Sequence, residues 1–404
     1  MDINEIRSKF PILNEKVNNN PFVYFDNAAT TQKPIEVINR QKEIYEKLNA
    51  NIHRGNYSFS NYLTSGYEEV RKKIKDFINA KSEKEIIFTS GTTASINLLA
   101  YSFAERYLKE GDNIITTQLE HHSNIVPWQI VCERKRAVLK YIPLKDDGRL
   151  SIETLENLIT EKTKLITLAH VSNSIGTVND IRTVIEIAHR YNVPVMIDAA
   201  QSIQHLKIDV QELDCDFLVF SGHKIYGPTG TGVLYGKKEY LDEMPPFMGG
   251  GEMIDVVTME KTTYNKLPFK FEAGTPNYVG IIALGDAIDF VKSVSFEFIA
   301  EYEKRLYLKA LDFLKTKKNV RIIGNNNSNI SVISFVHKKI PFGDFSFLLD
   351  KFGIAVRTGS HCAQPTMSFF GINGTVRLSF AFYNTFDEVD FFSEAFEKIE
   401  KMFL

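Results

Sequence analysis

The sequence predicts an α/β protein: a mostly parallel sheet covered by helices, followed by a smaller α+β unit. From about residue 86 to 236, short apolar runs alternate with helix-patterned segments, the signature of strands joined by crossover helices. From about residue 279 the pattern changes to long helices and then to a compact strand-rich stretch. The residues with chemistry to offer, His121 and His122, Asn173, Asp198 and Lys224, recur at the ends of predicted strands, where open α/β sheets bind ligands.

Residues 1–20 read as a short helix and a polar loop. Tyr24-Phe25 is then a short strand running into a capped turn, with Asp26 or Asn27 suited to the cap. Strands are expected at 86–88, 113–117, 165–168, 193–197, 217–220 and 232–235, and a helix at 181–191. A helical pattern begins near Ile96, just after Gly91-Thr92-Thr93. Gly227-Pro228-Thr229-Gly230-Thr231-Gly232 leads into a strand and lacks the Lys-Ser/Thr ending of a P-loop, so it reads as a tight turn. Long helices follow at 281–294 and 298–317, strands at 330–335, 354–357 and 376–379, and a last helix at 387–403.

The 404 residues suffice for two domains with a large core. A formal net charge of −2 argues against a general nucleic-acid or membrane-surface binder, which needs a basic excess. Cys132, Cys215 and Cys362 are odd in number and widely separated, so neither a disulfide framework nor a zinc site is expected. The N-terminus has early acidic residues and no apolar core, and no run approaches membrane-spanning length. The expectation is a cytoplasmic protein.

Lys224 directly follows the apolar run Phe217-Leu218-Val219-Phe220 and Ser221-Gly222-His223. A solvent lysine just past a strand is the ordinary reading. A lysine held in an apolar site instead loses its proton easily, and the neutral amine condenses with aldehydes. Asp198 ends the neighbouring apolar run, so an anion and an amine can meet at one sheet edge. That pair matches the needs of pyridoxal phosphate, whose aldehyde takes a lysine and whose pyridinium nitrogen takes an acid. Gly91-Thr92-Thr93 at a helix start suits an anion as well as simple capping. Adjacent His121 and His122 would diverge and lack metal-ligand spacing; stacking on a flat cofactor is the better use for one of them. Cys362 lies beside His361 and near Arg357 in a polar, turn-like stretch, a setting that favours thiolate, whereas most free cysteines simply pack.

With these motifs in order, the sequence resembles the fold type I pyridoxal-phosphate enzymes of the class V aminotransferase group, and within them the group II, Suf-type cysteine desulfurases that include selenocysteine lyases. The resemblance rests on Phe25-Asp26-Asn27-Ala28-Ala29, Gly91-Thr92-Thr93, Glu120-His121-His122, Asn173, Asp198-Ala199-Ala200-Gln201, Ser221-Gly222-His223-Lys224, Phe271-Glu272-Ala273-Gly274-Thr275-Pro276 and the cysteine loop. It implies a large domain at 21–286 with a mostly parallel seven-stranded sheet, and a small domain from 1–20 and 287–404 that carries the cysteine loop. It implies Lys224 as the Schiff-base lysine, Asp198 on the ring nitrogen, Gln201 on the ring hydroxyl and His121 stacked on the ring. Thr92, Thr93, Ser221 and His223 would hold the phosphate, with Thr275 reaching it from the other subunit of a homodimer. Asn173 and Arg377 would bind the substrate carboxylate, Arg357, His53 and Arg54 would line the substrate pocket, and Cys362 would accept sulfur from L-cysteine for a Suf acceptor protein and iron–sulfur cluster assembly. Two positions depart from the pattern: Ala94, where glutamate is usual, and Ser360, where histidine is common. Selenocysteine lyase or another Cβ-cleaving or transaminating enzyme is the alternative activity, and a catalytically silent assembly scaffold is the alternative class.

Overall fold

The computed structural model describes residues 2–324 and 329–403. Seven strands, β1 (Ile86–Thr89), β2 (Asn113–Thr117), β3 (Val138–Ile142), β4 (Thr163–Ala169), β5 (Val195–Asp198), β6 (Phe217–Ser221) and β7 (Gly232–Gly236), form one sheet in the order β1-β7-β6-β5-β4-β2-β3. The pairs β2–β3, β2–β4, β4–β5 and β5–β6 are parallel, and β7 runs antiparallel to both β1 and β6. Every residue of β2, β5, β6 and β7 is buried, as expected for strands covered on both faces. Strand β3 was not anticipated. It lies at the sheet edge with Val138 and Tyr141 exposed, so its pattern lacks the apolar continuity of the central strands.

Helix α1 (Ser58–Phe77) precedes β1 in the chain, and crossover segments supply covering helices such as α2 (Thr92–Tyr107) and α3 (Ile181–Arg190). Helix α2 begins at Thr92, before the apolar pattern at Ile96 makes it visible. It packs over β6 and β7, and the buried residues Ile96, Leu99, Phe103, Phe217, Val219 and Leu234 belong to one core layer. The larger core layer continues from the other face of the sheet into the C-terminal unit, joining Ile197 and Phe220 to Phe335 and Phe380.

Helices α4 (Tyr278–Val294) and α5 (Phe296–Lys315) lead into an antiparallel sheet of β8 (Val320–Ile323), β9 (Val332–His337), β10 (Arg357–Gly359) and β11 (Thr375–Ser379), ordered β8-β9-β11-β10, and α6 (Phe386–Phe403) closes the fold. The strand expected at 354–357 is divided. Ile354–Ala355 pairs in parallel with Val23–Tyr24, and the chain joins the four-stranded sheet only at Arg357. Neither Asp26 nor Asn27 caps the turn through its side chain: the Asn27 amide donates to the Ser379 carbonyl at 2.7 Å, and Asp26 accepts from Arg377 at 3.0 Å. Among the described residues no helix is long and apolar enough to cross a membrane, and no three His, Cys, Asp or Glu side chains converge as metal ligands.

Candidate active site

A cavity of about 420 Å³ opens at the C-terminal ends of β4, β5 and β6, where Ala169, Asp198 and Ser221 face it. Its position is the one open α/β sheets reserve for ligands. Lys224 reaches the cavity from the tight turn Gly222–Lys224 that follows β6. Withdrawal from water pushes its amine down to about 8, with Arg377 adding to the effect and Asp198 opposing it. Burial raises Asp198 from its ordinary range, while the Ala200 N–H donated to Oδ1 at 2.9 Å and the nearby Lys224 charge hold it down.

The lysine-bearing turn is fixed through one carbonyl. The His223 oxygen accepts from the Thr31 N–H at 3.1 Å, the Thr30 hydroxyl at 3.1 Å, the Thr31 hydroxyl at 3.2 Å and Lys33 Nζ at 2.9 Å. Burial pushes the Lys33 amine down to about 7. Sequence reasoning did not single out Lys33: besides the nearby Thr31 carbonyl at 2.6 Å, the carbonyl it holds at the site is 190 positions away, and Thr-Gln-Lys-Pro carries no local signal.

At the N-terminus of α2, Ser221 Oγ accepts the Thr92 N–H at 2.8 Å and lies 2.8 Å from the Thr92 hydroxyl. Gly91 has φ +149, and a Cβ on Gly232 would stand 2.3 Å from the Gly91 Cα, so both positions require glycine for helix and strand to approach this closely. Thr92, Thr93, Ser221 and His223 all line the cavity beside this helix end, where the dipole favours an anion.

His121 lines the cavity as well, and its Nδ1 accepts the Ser123 N–H at 3.1 Å, which leaves the ring proton of the neutral form on Nε2. Burial, reinforced by the Lys224 charge, pushes this imidazole down to about 4. Buried Glu120 next to it is raised to about 7 by burial, although it accepts from Thr117, Asn124 and the Ala169 N–H.

The opposite wall comes from the C-terminal unit. Arg377 on β11 donates to the Asn173 carbonyl at 2.8 Å and to Asp26 Oδ1 at 3.0 Å, while Arg357 sits at the rim, 3.7 Å from Asp26 Oδ2. Asn173 donates its amide to the His361 carbonyl at 2.7 Å, which ties the carboxylate-binding candidates to the cysteine loop. Cys362 is exposed and lines the same cavity as Lys224. Cys132 and Cys215 are buried, and burial pushes the Cys132 thiol up to about 11.

The residues present fit pyridoxal phosphate. Gln201 Oε1 and Arg377 Nε are buried on side chains that line the cavity, and neither has a hydrogen-bond partner among the described residues. One spare acceptor and one spare cationic donor thus accompany a helix N-terminus ringed by hydroxyls, a carboxylate and an amine, an arrangement that calls for a polar anionic ligand.

Three expected site residues lie elsewhere in the chain. His53, Arg54 and Thr275 share a separate cavity of about 180 Å³. Arg54 there pairs with Glu252 at 2.9 Å, and His53 lies 3.3 Å from Glu68.

The sequence pattern of class-V aminotransferases matches residues 23–392. A cysteine desulfurase of Wigglesworthia glossinidia brevipalpis is 48% identical over 401 residues, covering 99% of this chain and 98% of that protein. A cysteine desulfurase of Escherichia coli O8 is 46% identical with the same coverage. Among solved structures, the S-sulfonic acid form of the cysteine desulfurase CsdA from Escherichia coli superposes with a TM-score of 0.93 at 36% identity over 100% of both chains. The apo cysteine desulfurase of Thermococcus onnurineus NA1 gives 0.94 at 37% identity over 99% of each. The chain belongs to the class-V aminotransferase family and is a pyridoxal-phosphate-dependent enzyme built on the fold of the cysteine desulfurases.

Proposed function

We propose that the protein is a cysteine desulfurase of the Suf-type group, converting L-cysteine to L-alanine and passing the sulfur through a persulfide on Cys362 to an acceptor protein, toward iron–sulfur cluster assembly. The observation that carries this reading is the presence of an exposed thiol, Cys362, on the wall of the cavity that holds Lys224 and Asp198. Bound there, pyridoxal phosphate supplies an aldehyde that links to amines and a ring that draws electrons from the adjacent carbon.

The chain's own residues divide the remaining work. Thr92, Thr93, Ser221 and His223 hold the phosphate at the helix end, His121 covers the ring, Gln201 meets its hydroxyl and Asp198 keeps its nitrogen protonated. Arg377 and Asn173 take the substrate carboxylate, with Arg357 at the rim. Lys224, with its depressed amine, takes the proton from Cα. The Cys362 thiolate then attacks the substrate sulfur. An S–S bond forms as the Cβ–S bond breaks, the electron pair of the broken bond stays with carbon, and protonation at Cβ together with return of a proton to Cα gives alanine.

The division into units 21–286 and 1–20 plus 287–404, and a homodimer in which Thr275, His53 and Arg54 complete the partner's site, belong to the same reading. The test is to incubate the purified holoenzyme with L-cysteine, quantify alanine and map the persulfide by mass spectrometry. The expected result is stoichiometric alanine, persulfide on Cys362, and loss of both in Cys362→Ser, whereas Lys224→Ala forms no alanine. Persulfide or full turnover in Cys362→Ser would overturn the assignment. Turnover with selenocysteine but not cysteine would favour the lyase, and none at all, even with an acceptor protein, would favour a scaffold.

A further inference from the structure

The loop that carries Cys362 is held in an unusual backbone. His361 and Cys362 are both left-handed, with φ of +55 and +54, and Gly359 before them has φ +104. Two successive side-chain-bearing residues in this region are costly, so contacts from outside the loop must hold them. Asn173 supplies one contact, through the His361 carbonyl. Thr375 supplies another, its hydroxyl 2.7 Å from His361 Nε2. Two more come from one residue absent from the expected site, His122. Its backbone N–H donates to the Cys362 carbonyl at 2.7 Å, and its Nε2 accepts the Gln364 N–H at 3.2 Å. His122 thereby grips the chain on both sides of Ala363, directly after the thiol-bearing residue. The same residue is covalently joined to His121, which lines the cavity.

We propose that His122 is a positioning residue for sulfur transfer: its imidazole, as acceptor for the Gln364 N–H, holds the Cys362 loop in its left-handed form with the thiol toward the cavity. The inference rests on the reading of Cys362 as sulfur acceptor. Side-chain substitution separates the two grips, because any residue but proline at position 122 keeps the backbone N–H that binds the Cys362 carbonyl while the imidazole bond is lost. Glutamine can restore an acceptor oxygen at the end of a side chain of similar reach. Gln364→Pro removes the donor instead, at the first position of the short helix Gln364–Phe369, where proline is tolerated.

The test is amide hydrogen exchange across 360–366 in holoenzyme, read beside the kinetics of alanine formation. In His122→Ala, exchange in this segment should rise about tenfold or more and kcat should fall by a similar factor, with KM for L-cysteine near wild type. Gln364→Pro should reproduce the kcat loss, and His122→Gln should recover most of the protection and rate. Wild-type exchange and kcat in His122→Ala, or a glutamine variant no better than the alanine one, would overturn the proposal. If His122→Ala does not fold, the comparison of Gln364→Pro and His122→Gln with wild type decides it on the same criteria. Exchange needs no turnover, so a Cys362→Ser enzyme that still transfers sulfur would refute the acceptor assignment alone and leave the exchange result to judge the grip.

Discussion

The Lys224 amine, pushed down to about 8 from an ordinary 10.5, is half neutral near pH 8 before any cofactor is bound. Only the neutral amine condenses with an aldehyde, so loading of pyridoxal phosphate into the cofactor-free protein should accelerate as pH rises to about 8 and level off above it. Stopped-flow absorbance would show this, and a rate flat from pH 6 to 10 would contradict the lowered amine. The linked stability has a definite sign. Between about 8 and 10.5 the unfolded chain holds a proton that the folded one lacks, so stability rises with pH across that window and the cost of the buried charge is fully present below it. Lys224→Met should remove this slope from the melting profile. Lys224 and Asp198 were legible in the sequence because each ends an apolar strand and β5 pairs directly with β6. Lys33 was not, and Asp26 and His122 were noticed only as a cap candidate and a strand-end histidine, because the groups they bind across the fold, the His223 carbonyl, Arg377 and Gln364, lie some 190 to 350 positions away along the chain, at distances no local pattern encodes.

At the scale of elements, α1 is locked to the sheet by an ion pair taken out of water. Arg71 on α1 donates to Glu272 at 2.7 and 3.0 Å and to the Ile86 carbonyl at 2.9 Å, and Glu272 also accepts the Phe88 N–H at 2.8 Å and the Tyr67 hydroxyl at 3.2 Å. Glu272→Gln leaves the buried guanidinium without this counter-charge and should cost about 3–5 kcal/mol in denaturant unfolding. A loss below about 1 kcal/mol would mean that Glu68, also bonded to Arg71, suffices alone. Element types were readable wherever apolar periodicity was strong, as in α4, α5 and α6. Boundaries were poorer where chemistry replaces periodicity: α2 opens on Thr92-Thr93, residues that contribute to the cavity and leave no apolar stripe.

For the whole molecule, the exposed rings of Tyr45, Tyr57, Phe59 and Tyr62 cluster in sequence around the segment that bears His53 and Arg54. Aromatic side chains left in water in such number suit a subunit interface. Sedimentation should therefore show a homodimer, and Phe59→Glu with Tyr62→Glu should yield a monomer that binds pyridoxal phosphate at least tenfold more weakly, since Thr275 would no longer reach a neighbouring site. A monomeric wild type with full cofactor affinity would refute this. The architecture of sheet and C-terminal unit was readable from the order of elements, whereas the separate cavity that gathers His53, Arg54 and Thr275 was not, since Thr275 lies more than 200 positions along the chain from the other two. The two reactive groups also differ in how they are carried. Lys224 sits in a turn stitched down through the His223 carbonyl, whereas the backbone under Cys362 is left-handed and leans on borrowed contacts. A reagent that caps the thiol would thus silence the enzyme without unseating its cofactor, and the disabled protein would keep its yellow colour.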